Sequence, residues 1–307
     1  MEPLGELRDC AICPRQCHAD RFETKSGYCR SGAGFNISSV CIHRGEEPAI
    51  SGREGICNIF FTNCNLQCIY CQNWQISKVS HDRRDTELEL EEVLRQITAI
   101  LDSGVRRVGF VSPSHFIPQV KVIIRCIHAL GYRPVWVFNT NGYDRAETLR
   151  SLEGMIHVYL PDLKYMDTGL ASAYSDAVDY PSVAGAALKE MFRQKGAALH
   201  LAEDGTAESG IIVRHLVLPG QTENSIAVLR FLARELSPAI HISLMSQYYP
   251  TPAVSCHPEL KRTVRKTEYE RVVSEMEELG MHRGWIQELE SSGHYRPDFD
   301  KIHPFDG

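Results

Sequence analysis

Cys64, Cys68 and Cys71, spaced C-x3-C-x2-C within Phe61-Thr62-Asn63-Cys64-Asn65-Leu66-Gln67-Cys68-Ile69-Tyr70-Cys71-Gln72-Asn73, are the residues of this chain best placed to do chemistry. Three thiolates on one short loop can hold three corners of a cubane 4Fe-4S cluster and leave the fourth iron open to an exogenous molecule. A structural zinc would take a fourth protein ligand, and Asn65, Gln67 and Gln72 are poor candidates for it. A second group, Cys10, Cys13, Cys17 and Cys29 at C-x2-C-x3-C-x11-C, can close all four corners of a site. Zinc and an additional iron-sulfur cluster both fit that count, in a structural or electron-relaying role. Of the remaining cysteines, Cys41 sits beside His43, which reads as a ligand or as a surface loop histidine. Cys57 and Cys126 read as packing residues, and Cys256 fits no group.

The elements that must position these groups read as repeated βα units. From about Cys57 onward short apolar runs alternate with longer amphipathic stretches, the pattern of a parallel sheet. The strands expected are 57–61, 107–111, 134–138, 155–160, 210–218 and 240–245. Helices are expected over 86–102, with Thr86 as N-cap, and over 117–130, 145–152, 183–195, 222–236 and 267–279, the last stopped by Gly280. The fold class is therefore α/β, a partial (β/α)6 TIM-type barrel with a small cysteine-rich N-terminal extension. The division expected is 1–55 for that metal-binding extension, 56–290 for the barrel and 291–307 for a C-terminal tail over the surface. Catalytic groups of such barrels lie at the C-terminal ends of strands. That rule selects the triad after the first strand, Ser112, Ser114 and His115 after the second, and Asn139, Thr140 and Asn141 after the third. It also selects Asp162 and Lys164 after the fourth, Arg214 and His215 in the fifth, and Gln247 and Tyr248 after the sixth.

Composition narrows the class further. The chain has 307 residues, 43% hydrophobic and 23% charged, ordinary for a soluble globular protein. A net charge of -6 argues against a general nucleic-acid partner. No apolar run reaches the length of a membrane span and Met1-Glu2-Pro3-Leu4-Gly5-Glu6 has no signal-peptide character, so a cytoplasmic location without membrane contact is expected. Eleven cysteines in close groups read as metal ligation in a reducing compartment rather than as disulfides.

With Tyr70 before its last cysteine, the C-x3-C-x2-C loop resembles that of the radical S-adenosylmethionine (SAM) superfamily. Phe60-Phe61-Thr62-Asn63-Cys64-Asn65-Leu66, Asn139-Thr140-Asn141-Gly142-Tyr143, Leu160-Pro161-Asp162-Leu163-Lys164-Tyr165 and Val213-Arg214-His215-Leu216-Val217-Leu218-Pro219-Gly220 together resemble its pyruvate formate-lyase activating enzyme-like branch. Cys10-Ala11-Ile12-Cys13-Pro14-Arg15-Gln16-Cys17 is similar to an N-terminal element of part of that branch, one the small activating enzymes lack. The resemblance implies a 4Fe-4S cluster on Cys64, Cys68 and Cys71 whose open iron chelates SAM. Reductive cleavage would then give methionine and a 5'-deoxyadenosyl radical that abstracts hydrogen from a substrate.

Carried over position by position, the resemblance implies that Tyr70 meets the adenine through its backbone. Asp162 and Lys164 would contact the ribose and carboxylate end of SAM, and Arg214 would lie near SAM and substrate. Two positions depart from the pattern. Ser112-Pro113-Ser114-His115 replaces a Gly-Gly-Glu segment that receives the SAM amino group, a task hydroxyls and backbone carbonyls can share. Asn139 stands where the activating enzymes carry an acid beside a monovalent cation; Asn139 and Asn141 remain candidates for the cofactor site. A protein or peptide substrate, a reductant such as flavodoxin or ferredoxin, and a monomeric chain are expected. Radical modification of a small molecule, and a metal-stabilised binding or electron-transfer protein, are the alternative functions.

Overall fold

Continuous apolar runs become buried strands because both of their faces are covered. In the computed structural model, which describes residues 4–79, 87–289, 296–301 and 304–305, this produces ten strands among the described residues. They are β1 (Phe35–His43), β2 (Ile56–Phe61), β3 (Glu87–Leu88), β4 (Arg107–Val111), β5 (Val135–Thr140), β6 (Val158–Pro161), β7 (His200–Leu201), β8 (Ala207–Leu216), β9 (His241–Met245) and β10 (Gly284–Ile286). Between them run α1 (Pro48–Ser51), α2 (Trp74–Ser77), α3 (Leu90–Asp102), α4 (Ile117–Ala129), α5 (Ala146–Arg150), α6 (Thr168–Ser175), α7 (Tyr180–Lys195), α8 (Thr222–Phe231) and α9 (Lys266–Glu278).

The sheet order is β10-β9-β8-β6-β5-β4-β2-β1-β3, with β7 on β8. From β2 to β10 the neighbours along this path are parallel, whereas β1 runs antiparallel to β2. The sheet does not close on itself, so the architecture is the partial TIM-type barrel expected, with β2, β4, β5, β6, β8 and β9 as its six central strands. Every residue of β2 and β4 is buried. Phe61 stacks on Phe116 at 4.8 Å and Phe110 on Trp136 at 5.3 Å, all four fully or almost fully buried. Each such ring contributes roughly 1.5–3 kcal/mol by leaving water.

Several boundaries move. The strand expected at 134–138 continues to Thr140, and that at 155–160 is shortened to Val158–Pro161. The helix expected over 222–236 ends at Phe231 and finishes in a π-type turn, Leu232–Leu236. α3 starts at Leu90, with Glu89 at the N-cap position but no side-chain cap; Thr86 lies outside the described residues, as does Gly293 of the tail. Several elements were not expected: the short α1, α2, β3 and β7 and, with more consequence, β1, α6 and β10. β1 corrects the reading of His43, which ends a strand, is buried, and packs against Phe305 at 4.0 Å. Burial and the Arg214 guanidinium push its imidazole down to about 4. The tail is not remote from the barrel either, since Phe299 and Phe305 pack on Phe60 of β2.

Candidate active site

The triad occupies the loop that leaves the C-terminal end of β2, and that loop is held by its own chemistry. Asn63 takes a positive φ of 61°, turning the chain so that Cys64 and Leu66 face inward. Each sulfur meets a donor. Asn141 Nδ2 lies 3.3 Å from Cys64 Sγ, and the Leu66 backbone N–H donates to the same sulfur at 3.4 Å. Ser175 Oγ lies 2.9 Å from Cys68 Sγ, and Ser77 Oγ lies 3.1 Å from Cys71 Sγ.

Burial raises the Cys64 thiol to about 12 and the Cys68 thiol to about 11, the latter held down partly by Lys164. Bare thiolates would be costly here, whereas metal-bound thiolates with donors aimed at them are not. Three thiols on one loop supply three corners of a cubane and leave its fourth iron open, whereas a structural zinc would take a fourth protein ligand, so this donor set fits the cluster.

The sulfurs open into a pocket of about 400 Å³ at the C-terminal ends of the strands, a size suited to a cofactor. Neighbouring β6 and β8 bring Asp162 opposite Arg214, with the Leu163 N–H donating to the Arg214 carbonyl at 2.9 Å. Asp162 accepts from Lys164 Nζ at 2.6 Å and from Arg214 Nε at 2.9 Å. Burial opposes charge on all three, yet mutual attraction prevails: Asp162 is held below the usual carboxylate range, and Lys164 and Arg214 above theirs. Arg214 also donates to Asn139 Oδ1 at 2.7 Å and lies 3.4 Å from Glu46.

Glu46 and Glu47, from the turn between β1 and α1, line the same pocket, and burial raises the Glu47 carboxyl. Neither acid was anticipated. They neighbour no motif in the sequence, and only the antiparallel pairing of β1 with β2 brings them to the site. Ser77 and Ser175 were missed for the same reason: their role depends on packing that no local pattern announces.

Of the other expected residues, Tyr70, Ser112, Asn139 and Asn141 line the pocket. Tyr70 is buried, its hydroxyl accepting from Tyr165 at 2.6 Å. Ser114 is a correction. Ser112 turns the chain at a φ of 53°, and Ser114, fully buried, does not line the pocket itself but sits behind Thr140, which does, with Oγ 3.0 Å from Thr140 Oγ1. There it joins Asp144, a buried carboxyl raised to about 6 by desolvation. His115 is also turned inward, bonding the Thr62 carbonyl, and His215 is spent between the Leu163 carbonyl and Ser225.

Gly142 ends the Asn139-Thr140-Asn141 run at a φ of 80°, and a Cβ there would lie 2.2 Å from the Asp162 carbonyl oxygen. Gly142→Ala is therefore expected to cost about 2–4 kcal/mol, from a strained backbone and a displaced Asp162. Chemical denaturation checks this; a variant as stable as the parent would mean that the two loops are free to separate.

The N-terminal cysteines form a second group beside the first. Cys13 feels the thiols of Cys29, Cys10 and Cys17, though burial is what chiefly pushes it up to about 12. Arg15, two residues on, donates from Nε to the Asn65 carbonyl at 3.0 Å and stacks over Tyr28 at 3.7 Å. The two cysteine loops are thus in direct contact.

Comparison with known proteins places this geometry. The Radical SAM superfamily model matches residues 58–232, more than half of the chain. A Methanocaldococcus jannaschii relative, "Uncharacterized protein MJ0674", is 25% identical over 279 residues, covering 90% of this chain and 76% of its own. Among solved structures the fold resembles HydG, a maturase of the [FeFe]-hydrogenase, with a TM-score of 0.51 and 16% identity over 78% of this chain and 53% of that one. It also resembles Streptococcus suis SuiB bound to S-adenosylmethionine, with a TM-score of 0.50 and 14% identity over 75% of this chain and 50% of that one. This chain spans about half the length of those two structures. Matched over the sheet that carries the triad and the Asp162–Arg214 pair, the chain belongs to the radical SAM superfamily, a family whose members use a 4Fe-4S cluster and SAM.

Proposed function

We propose that this chain is a radical SAM oxidoreductase, similar to the activating enzymes, that abstracts hydrogen from a protein or peptide. One observation carries the reading: three thiols, each met by a hydrogen-bond donor, open into a pocket whose far wall holds Lys164, Asp162 and Arg214. Cys64, Cys68 and Cys71 would hold the cluster, which together with SAM supplies a 5'-deoxyadenosyl radical when both are bound. Lys164 is the group to pair with a carboxylate, and Asp162, fixed between two cations, is the acceptor for ribose hydroxyls. The backbone of Tyr70 faces the adenine. Ser112 and Asn141 offer polar contacts at the rim, and Asn139, tied to Arg214, presents no charge of its own. The cationic end of SAM needs a carboxylate, and Glu47, whose buried Oε2 has no hydrogen-bond partner among the described residues, is the acid of the pocket left for it, since Glu46 is already paired with Arg214 at 3.4 Å. Ser114 is left out of this assignment because it does not line the pocket.

The peptide reading is supported by the open sheet, which leaves a side entrance that a closed barrel would lack. Residues 56–290 would carry the catalysis. Residues 1–55 would form the cysteine-rich extension, although its β1 is built into the barrel sheet, and residues 291–307 the tail. No helix among the described residues is long and apolar enough to cross a membrane, and all eleven cysteines are free thiols. Free thiols suit a reducing compartment, and the reading is completed by a monomer in the cytoplasm, away from nucleic acid and membrane, with flavodoxin or ferredoxin as reductant. Anaerobically reconstituted protein given dithionite and SAM should release 5'-deoxyadenosine and methionine. Cys64→Ala should release neither, and undiminished product from that variant would sink the assignment.

A further inference from the structure

The first thirty residues contain charge that the barrel does not explain. Arg21 is 3% exposed, and its guanidinium bonds the carbonyls of Ser31, Gly32 and His115. No carboxylate is among its hydrogen-bond partners in the described residues; it lies over the Phe116 ring at 5.0 Å and reaches Cys10 Sγ at 4.0 Å. Arg15, half-buried, also bonds carbonyls, those of Asn65 and Asp176, while its plane covers Tyr28. Arg145 reaches in from the barrel to the Ala11 carbonyl, and Thr148 to the Ile12 carbonyl at 2.8 Å, so the turn between Cys10 and Cys13 is pinned from outside. A buried guanidinium without a counter-ion is costly, and a set of metal-bound thiolates is the negative charge that would balance it.

The turns themselves are built for ligation. The Cys10 N–H donates to the Ala19 carbonyl at 3.1 Å and the Gln16 N–H to the Cys13 carbonyl at 3.1 Å, so the backbone carrying these thiols is fixed. Cys17 Sγ approaches the Cys10 carbonyl at 4.0 Å, and a Cβ on Gly27 would lie 2.9 Å from that sulfur, which keeps the approach to Cys29 free of side chain. Cys13 lies near enough to Cys29, Cys10 and Cys17 for their charges to act on it, so the four thiols share one neighbourhood. Their loop touches that of the triad, where Arg15 bonds the Asn65 carbonyl at 3.0 Å; a redox-active cluster has a use at that contact and a zinc ion has none.

We propose that Cys10, Cys13, Cys17 and Cys29 hold a second 4Fe-4S cluster, in electron contact with the triad's cluster through Arg15 and the Asn65 carbonyl. The contact rests on the reading of the triad given above; the site itself does not. With all four irons ligated by protein, this cluster has no place for SAM. The Arg21 guanidinium, 4.0 Å from Cys10 Sγ, favours the reduced, more negative state of this cluster. The exchange moves one electron and no proton: a low-potential one-electron donor is oxidised, the N-terminal cluster is reduced, and the electron is then shared with the triad's cluster.

The test uses the full chain with Cys64, Cys68 and Cys71 all replaced by Ala, reconstituted anaerobically with iron and sulfide. It should keep one cluster's iron and sulfide, and on dithionite reduction give an electron paramagnetic resonance signal that SAM does not alter. Zinc without iron, or a folded chain with neither metal, overturns the site. Arg21→Met in that background should shift the midpoint of the signal to a more negative potential. A second arm uses Cys13→Ser/Cys29→Ser with the triad intact, which should lose half the iron and keep a SAM-responsive signal. If the reduced parent's spectrum is broadened beyond the sum of the two variants' spectra, the clusters are in contact; a simple sum overturns the contact. Absence of 5'-deoxyadenosine from the parent, by contrast, would count against the radical chemistry and leave this site standing.

Discussion

Asp162→Asn is expected to cost the chain about 3–5 kcal/mol and, with it, at least roughly tenfold in SAM affinity. Asn keeps the shape of the side chain but removes the one negative charge shared by Lys164 at 2.6 Å and Arg214 at 2.9 Å. All three side chains are less than a fifth exposed, so water cannot replace what is lost. Arg214 keeps Glu46 at 3.4 Å, which is why the expected loss is that of one broken pair and not two. The pH dependence separates charge from packing. Because Asp162 is held below its ordinary range in the folded chain, its contribution is complete above about pH 4 and fades as pH falls through the folded value. The stability gap between parent and variant should therefore be full at neutral pH and narrow in acid. Urea titrations at both ends check it. A gap that stays constant into acid would mean that the carboxylate's charge contributes nothing, and that shape alone is at work.

That pair also marks the limit of what the sequence makes legible. Asp162 and Arg214 could be picked out because each sits at the end of a continuous apolar run, and parallel pairing of β6 with β8 then puts them side by side. The six central strands are readable on the same ground, since burial on both faces leaves an unbroken apolar stretch. β1 is not readable in this way. Ser38 and Ser39 interrupt its apolar residues, and its pairing with β2 shifts register between Ile37 and Ser39, so neither alternation nor a continuous run survives. With β1 go Glu46, Glu47 and the burial of His43. β10, three residues long, is too short for any periodicity to appear. Ser114 misled because spacing says which loop a residue is on and not which way it faces. The positive φ at Ser112 decides that, and a serine gives no warning of it.

Ser175→Ala should lower activity by about 10–100-fold while leaving the fold nearly unchanged, since partners of metal ligands carry effects of that size. Ser175 closes α6, more than a hundred residues from the loop it serves, yet its hydroxyl lies 2.9 Å from Cys68 Sγ. It is fully buried and its oxygen lies 2.8 Å from the Tyr165 hydroxyl, so its position is set before any metal arrives. A donor on a ligating sulfur stabilises the more negative, reduced state, and removing it must move the cluster's midpoint to a more negative potential. A cluster that is harder to reduce delivers fewer electrons for SAM cleavage, so rate and midpoint should fall together. Ser77→Ala at Cys71 and Asn141→Ala at Cys64 should do the same, the latter more strongly because Asn141 also holds Asn65 at 2.8 Å. Ser175→Thr, which keeps the hydroxyl, is expected to restore the midpoint in part. Potentiometric titration followed by electron paramagnetic resonance decides the matter: activity lost at an unchanged midpoint would make Ser175 a packing residue, and its hydrogen bond to the thiolate irrelevant to the chemistry.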